Sequence, residues 1–281
     1  MFRLPLVLLL LTLIGCFLAG CGTKEVAEPT AKDSIVVVDS FPKDTDSIPE
    51  AIIEIPPSKA DELFDDFLYN FMRNRKFQQA RVDFPLPHIV DSTHTTIDRK
   101  DWKHQSLYVK DELFMTLHSS KKTLGLSHDP KVGEVVIQEL DIPQQRITSY
   151  NFQRVEGEWR LTSLETGSVD EEAGADTDFM KFYCRFAASP EFQRAHLAGT
   201  IQAKYFDDDE LVQRNGTMSA AEAEEHLPIL PTDRIVNVNY GQKNDAGNTR
   251  ILSINSSAGD MSTQLTFRKQ AKDWMLTAFE Y

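Results

Sequence analysis

Phe64-Asp65-Asp66-Phe67-Leu68-Tyr69-Asn70-Phe71 decides how this chain is read, because Phe179-Met180-Lys181-Phe182-Tyr183-Cys184-Arg185-Phe186 repeats its phenylalanines 115 positions later. Phenylalanines three and four residues apart share one face of a helix, so each stretch predicts an amphipathic helix with an aromatic stripe turned to a core. The same shift carries Phe77, Gln78 and Ala80 onto Phe192, Gln193 and Ala195. Far downstream it carries Thr148, Phe152, Trp159, Leu161, Thr162 and Glu165 onto Thr263, Phe267, Trp274, Leu276, Thr277 and Glu280. Twelve of the 35 positions compared (64–80 and 148–165) are identical. Ordinary composition would give about two. One offset serves both blocks across the 67 residues between them, so the chain reads as two copies of one unit. A unit of roughly 105–110 residues is large enough to bury a core of its own.

Each element can be checked in both copies. Ser58 with Asp61 predicts a capping box for the first long helix, and Asp176 or Thr177 predicts a cap for the second. Asn74 and Ser189-Pro190 break the two helices at matching points and open short helices that carry Phe77-Gln78 and Phe192-Gln193. Short β-branched runs at 135–137, 235–240 and 251–254 predict strands. Each copy closes with a hairpin, 147–165 turning at 155–158 and 264–280 turning near 271–273. Helices followed by antiparallel strands make an α+β fold, with the helices on one face of the sheet. The repeat sets the domains at 58–166 and 176–281, with the acidic, small-residue stretch 167–175 as a linker.

The N-terminus predicts export. Arg3 precedes an apolar run, Leu4 to Leu18, of signal-peptide length and short for a membrane span of roughly 20 residues. Leu18-Ala19-Gly20-Cys21 resembles a lipobox: residues 1–20 are a signal peptide cut between Gly20 and Cys21, and the Cys21 thiol takes the lipid (palmitate among its chains). Leu13-Ile14-Gly15-Cys16 is a weaker lipobox that would leave Phe17-Leu18 after the cut. Residues 21–57 mix acid, proline and small residues and read as a lipidated cysteine with a flexible tether. Such a tether spans on the order of 30 Å on average, and about 110–120 Å drawn out. Its apolar patches 35–38 and 52–55 offer an alternative, an added edge strand. Loss of residues 1–20 removes only Arg3, so the net charge of −13 becomes −14. That excess of acid argues against nucleic acid and against adhesion to an anionic lipid surface. Cys184 alone remains besides Cys21, so no intramolecular disulfide is available, and its apolar helical setting predicts a small buried hydrophobe.

The run 67–86 with Phe77-Gln78 and Phe84-Pro85-Leu86, the phrase Val238-Asn239-Tyr240-Gly241-Gln242 and the strand around Trp274 resemble a lipoprotein family of Gram-negative envelopes. Members pair a lipid signal with tandem domains of the nuclear transport factor 2-like, or cystatin-like, fold. The likeness covers about residues 58–281. It implies two cone-shaped domains, each with a long helix packed into a strongly curved antiparallel sheet, and it favours the outer membrane as the site of the anchor. Phe84-Pro85-Leu86 falls opposite Gly199-Thr200-Ile201, so the second copy lacks that phrase. The family has no established activity, and no catalytic residue is carried over.

Enzymes on this fold place an acidic or histidine base inside the cone. In the first copy the candidates are Asp98, Asp101 and His104 beside Trp102; in the second they are Asp207, Asp208, Asp209 and His226. Solvated loop acids are the simpler reading of both sets. His88, His94, His104, His118, His128, His196 and His226 lack metal-site spacing, and 205–210 lacks the alternation of a calcium loop, so no metal and no cofactor is expected. Trp159 and Trp274 read as core, Gln78 and Gln193 as partners of local backbone groups, and Arg73, Arg75, Lys76 and Arg81 as a basic face that is solvated or meets the acidic tether. Glu165 and Glu280 end the last strand of each copy and are read as facing water. The sequence thus predicts a membrane-anchored envelope lipoprotein that binds a small apolar ligand or an envelope protein partner without catalysis. An isomerase or hydrolase using an acid/base residue inside one cone, and a structural spacer, stand as alternatives.

Overall fold

The computed structural model describes residues 61–281 apart from 108–112, 208–209, 245–246 and 258–260. These residues belong to one compact unit, Ile53–Tyr281. The expected signal peptide, Cys21 and tether lie outside the described residues, as does Ser58.

The first half runs α1 (Phe64–Arg73), α2 (Arg75–Ala80), β1 (Leu86–Val90), β2 (Thr93–Ile97), β3 (Leu113–His118), β4 (Glu134–Asp141), β5 (Arg146–Val155) and β6 (Glu158–Ser168). After α3 (Val169–Glu172) come α4 (Thr177–Ala188), α5 (Pro190–Ala195), β7 (Leu197–Asp207), β8 (Val212–Ser219), α6 (Ala220–His226), β9 (Arg234–Asn239), β10 (Thr249–Ser256), β11 (Ser262–Gln270) and β12 (Asp273–Glu280). Helices on one large sheet make the α+β class. None of the described helices is long and apolar enough to cross a membrane.

The aromatic stripes do what their spacing predicts. Phe67, Phe71 and Phe186 are fully buried, and Phe182 nearly so. Phe71 meets Phe152 edge-on at 5.3 Å, and Phe186 meets Phe267 edge-on at 5.2 Å. Phe64 against Trp159 and Phe179 against Trp274 repeat the match at 5.0 and 5.2 Å. T-shaped pairs at these separations add to the burial of the rings themselves. Even the irregularities correspond: β5–β6 shifts register at Asn151/Phe152, and β11–β12 at Thr266/Phe267, 115 positions on.

Asn74 and Ser189 cap α2 and α5 as expected, Asn74 Oδ1 accepting from the backbone N–H of Lys76 and Phe77, and Ser189 Oγ from that of Phe192. The caps expected of the long helices are different. Leu63 stands at the α1 N-cap without a side-chain bond. Asp61 instead closes a two-pronged ion pair with buried Arg81, at 2.7 and 2.9 Å, and accepts from the Trp159 backbone N–H. Arg81 therefore leaves the basic face, which keeps Arg73, Arg75 and Lys76. Asp176 precedes α4 but pairs with Arg250 rather than capping.

The sheet has twelve strands in the order β2-β1-β6-β5-β4-β9-β3-β10-β11-β12-β7-β8. Exchanging each strand for its counterpart (β1 for β7, β2 for β8, β3 for β9, β4 for β10, β5 for β11, β6 for β12) reverses this order onto itself. Two central strands lie across the boundary expected between halves: β9 pairs with β4, and β3 with β10, while β3 and β9 run parallel side by side. Both faces of these strands are covered. Met115 and Leu117 of β3 enter the core built on α4, while Val236 and Val238 of β9 enter the core built on α1. Residues 167–175 are correspondingly no open linker. They finish β6 and form α3 and a turn of 3-10 helix, with Val169 buried in the core on α4.

Candidate functional site

The helix–sheet interiors, where a ligand is expected inside an open cone, are filled by the rings just described. The described members of the expected acid and histidine sets do not enter them. Asp98, Asp101 and His104 are exposed around the turn after edge strand β2, and Trp102 alone of that group is buried, its indole N–H donating to Gln78 Oε1. Asp207 accepts from Arg214 and from the Glu210 backbone, and His226 contacts the Tyr281 hydroxyl at 3.2 Å with its ring against Tyr205. Asp208 and Asp209 lie outside the described residues. Gln78 is fully buried and satisfies local backbone: Nε2 donates to the carbonyls of Phe71 and Gln105, and Oε1 accepts from the Gln105 N–H. Glu165 accepts from Asn151 Nδ2, and Glu280 pairs with Lys204. Among the described residues no cluster of three metal-ligating side chains occurs.

A hollow of about 670 Å³ opens between α4, α5 and the turn at Ile142–Pro143. Cys184 borders it, but burial pushes its thiol up to about 11, which keeps it protonated and unreactive at neutral pH. The hollow's charged groups, Arg185 and Glu191, are exposed.

A smaller cavity of about 350 Å³ has a different character. It lies at the seam, where strands β3, β10 and β11 face the start of α1. The floor is polar and buried: Thr116 on β3 is 8% exposed, His118 2%, and Ser253, its neighbour on β10, 6%. His118 Nε2 lies 3.1 Å from Thr116 Oγ1 and Nδ1 lies 2.9 Å from Thr123 Oγ1, so the imidazole holds Thr116 in place. Ser253 Oγ is buried with no hydrogen-bond partner, as are Trp159 Nε1, Tyr183 Oη and Asn237 Oδ1 elsewhere, a state that costs about 1–3 kcal/mol each. Asn255 and Gln264 add amides, and Phe114 and Tyr240 add rings. At the rim Tyr240 donates its hydroxyl to Asp65 Oδ1 at 2.8 Å. Loss of solvent raises the Asp65 carboxyl, against the lowering effects of Tyr240 and of His128 nearby.

The phrase 238–242 builds this rim. Gly241 takes φ +75°, and a Cβ there would press on the Glu134 carbonyl at 3.2 Å. The turn lets Gln242 accept from the Tyr240 N–H and donate to the Leu117 carbonyl, locking Tyr240 beside β3.

The matching place on the other face of the sheet is closed. There Gln138 and Asn237 occupy the positions of Ser253 and Thr116, since Ile137 pairs with Val238 as Leu252 pairs with Leu117. Asn237 donates to Gln138, Gln138 to the Glu172 carbonyl of α3, and Ser149 to the Glu172 carboxylate. Longer side chains and a covering helix fill that face. Serine and threonine leave the seam hollow.

Burial lowers the His118 pKa to about 4, so the folded protein keeps this imidazole neutral where an unfolded chain, near 6.5, takes a proton. Between those values the unfolded state binds more protons, so stability falls as pH drops from 6.5 towards 4 and is unaffected by this group above 6.5. The expected loss is about 2–3 kcal/mol. Denaturant unfolding at pH 7 and pH 4.5 should show a smaller difference between the two pH values for His118→Gln than for wild type; equal differences would refute the assignment.

Comparisons with known proteins agree with this architecture. Residues 44–281 match a family model described as a domain of unknown function, DUF4348. The crystal structure of an NTF2-like protein from Bacteroides fragilis is similar, with a TM-score of 0.70 and 30% identity over 79% of this chain and 96% of that one. No curated protein matches.

Proposed function

This chain belongs to the DUF4348 family, whose defining domain is one of unknown function, and from that premise we propose that it is a lipid-anchored envelope protein that binds a small polar ligand at the seam and does no chemistry on it. Its fold reads as two NTF2-like halves in tandem that have exchanged β3 and β9. The single offset of 115, the duplicated ring geometry, the duplicated register shift and the reversible strand order support that reading.

The binding reading rests chiefly on one observation: eleven of the fourteen described residues around the seam cavity carry polar groups, over a floor of buried Thr116, His118 and Ser253. Packing alone would favour apolar side chains there. A pocket with a few convergent polar groups is the usual form of a small-molecule site. The ligand thus changes from the apolar one expected of an open cone to a polar one, because aromatic rings take up the interiors. Installing the residues of the closed face, Thr116→Asn with Ser253→Gln, should fill the seam and keep the fold. A fragment screen read by thermal shift should give hits on wild type that this variant loses. Hits that shift both proteins equally would sink the seam as the binding site.

Leu18-Ala19-Gly20-Cys21 supports the anchor, with lipid on Cys21, cleavage after Gly20 and the folded part outside the cytoplasm; the outer membrane is favoured by the family resemblance alone. Cys21→Ser should accumulate as uncleaved precursor that incorporates no labelled palmitate. An intact, unmodified Cys21 peptide from the mature wild-type protein would overturn this.

A further inference from the structure

We propose that the seam pocket takes an uncharged, polyhydroxylated molecule of monosaccharide size; this rests on the binding reading above and adds the chemistry of the ligand. Its size follows from the cavity, about 350 Å³, at the small end of ligand pockets.

Charge is the first discriminator. Among the described residues no lysine or arginine borders the cavity, so an anion would find only the exposed His128 imidazole and would meet Asp65 beside it. The floor is neutral, since Thr116 and Ser253 carry no charge and burial keeps His118 unprotonated at neutral pH. A cation would find one carboxylate, already engaged by Tyr240.

Polarity is the second. Eleven of the fourteen described bordering residues carry a hydroxyl, amide, imidazole or carboxyl group, which is too many for an apolar ligand to leave without water. Five of these are serine or threonine, whose hydroxyls both donate and accept. A ligand whose own groups donate and accept in turn satisfies such a lining with fewest orphans. Sugar hydroxyls do this, and the C–H faces of a pyranose suit the rings of Phe114 and Tyr240.

The third discriminator is which groups remain free. Strands β3, β10 and β11 are interior to the sheet, each with a neighbouring strand on both sides, so none of them offers a free sheet edge to a peptide strand. Recognition must come from side chains, and it favours a compact body over an extended one. The closed face shows what a polar body does in this position: the Glu172 carbonyl and carboxylate engage the counterparts of Ser253 and Gln264.

Ligand-observed NMR and calorimetry on the mature chain should separate the classes. The probes are glucose, galactose and N-acetylglucosamine; glucuronate and glucosamine as their charged relatives; a blocked neutral dipeptide; and cyclohexanol. At least one neutral sugar should bind, with affinity falling about tenfold or more in Thr116→Asn/Ser253→Gln. Asn255→Leu, at a half-buried position, is a second variant that should weaken binding should the first not fold. Preference for glucuronate, glucosamine, the dipeptide or cyclohexanol, lost in the same variants, would overturn the sugar class and leave the seam as a binding site. Sugar binding that both variants retain would place the sugar elsewhere and overturn the proposal. Failure of every probe on wild type would overturn it together with the binding reading.

Discussion

Phe71→Ala and Phe186→Ala should each destabilise the whole folded unit by about 3–5 kcal/mol, and each should leave a single unfolding transition. Both rings are fully buried, and each sits edge-on to a phenylalanine of the facing sheet, so truncation removes burial, leaves a cavity and breaks an aromatic pair. Two tandem copies read from sequence would confine the damage to the altered copy. The pairing of β9 with β4 and of β3 with β10 changes that. Loosening the core on α1 releases Val236 and Val238, whose strand also carries Ile235 into the core on α4. Loosening the core on α4 releases Met115 and Leu117, and with them Phe114 from the other core. Unfolding followed by near-ultraviolet circular dichroism and by amide exchange in both halves should give coincident midpoints. Two separated transitions, the altered half melting first, would show that the cores are independent despite that pairing.

Much of the fold was written in the chain, and the reason is redundancy. Phe64, Phe67 and Phe71 alone could belong to any amphipathic helix; their recurrence at 179, 182 and 186 made helix, register and hairpin each testable twice. Asn74 and Ser189 were legible because capping is local chemistry. Asp61 and Asp176 were misread for the same reason: both stand where a cap would stand, yet their partners, Arg81 and Arg250, lie 20 and 74 positions away. The placement of β3 and β9 left no local signal. Leu113-Phe114-Met115-Thr116-Leu117-His118 was not among the strands read from sequence, and which strand it pairs with is decided by tertiary packing. Its lack of clean alternation was the one trace, since a strand between two cores is buried on both faces.

The seam pocket was hidden more deeply. His118 looked like one of seven histidines without metal-site spacing, and Thr116 and Ser253 are small polar residues with no motif around them. A signal lay in the differences between copies. Position 138 holds glutamine where position 253 holds serine, and only topology shows that this shortening faces an uncovered space. The residues chosen from sequence, such as Asp101 and His104, stood out by chemistry but follow an edge strand, where loops meet water.

Arg250→Ala should cost about 3–5 kcal/mol, as much as losing a core phenylalanine, because it leaves an acid in place without its cation. Arg250 is 1% exposed, and its Nε donates to Asp176 Oδ1 at 2.7 Å. Its other nitrogens donate to the carbonyls of Ala175, Gly247 and Thr249, and its guanidinium lies 5.6 Å from the centre of the Trp274 ring. Asp176 is held in turn by Asn244 Nδ2. This network fastens the 174–176 turn, the chain's passage between its halves, onto β10. Lysine should not rescue it, since one ammonium cannot serve a carboxylate and three carbonyls in that planar geometry. Arg250→Met with Asp176→Leu should recover part of the loss, because removing both charges spares the uncompensated acid. Denaturant unfolding of the two single variants and the double variant decides the matter. A double variant less stable than Arg250→Ala alone would mean that the network's worth lies in its hydrogen bonds to backbone, not in the pairing of buried charges.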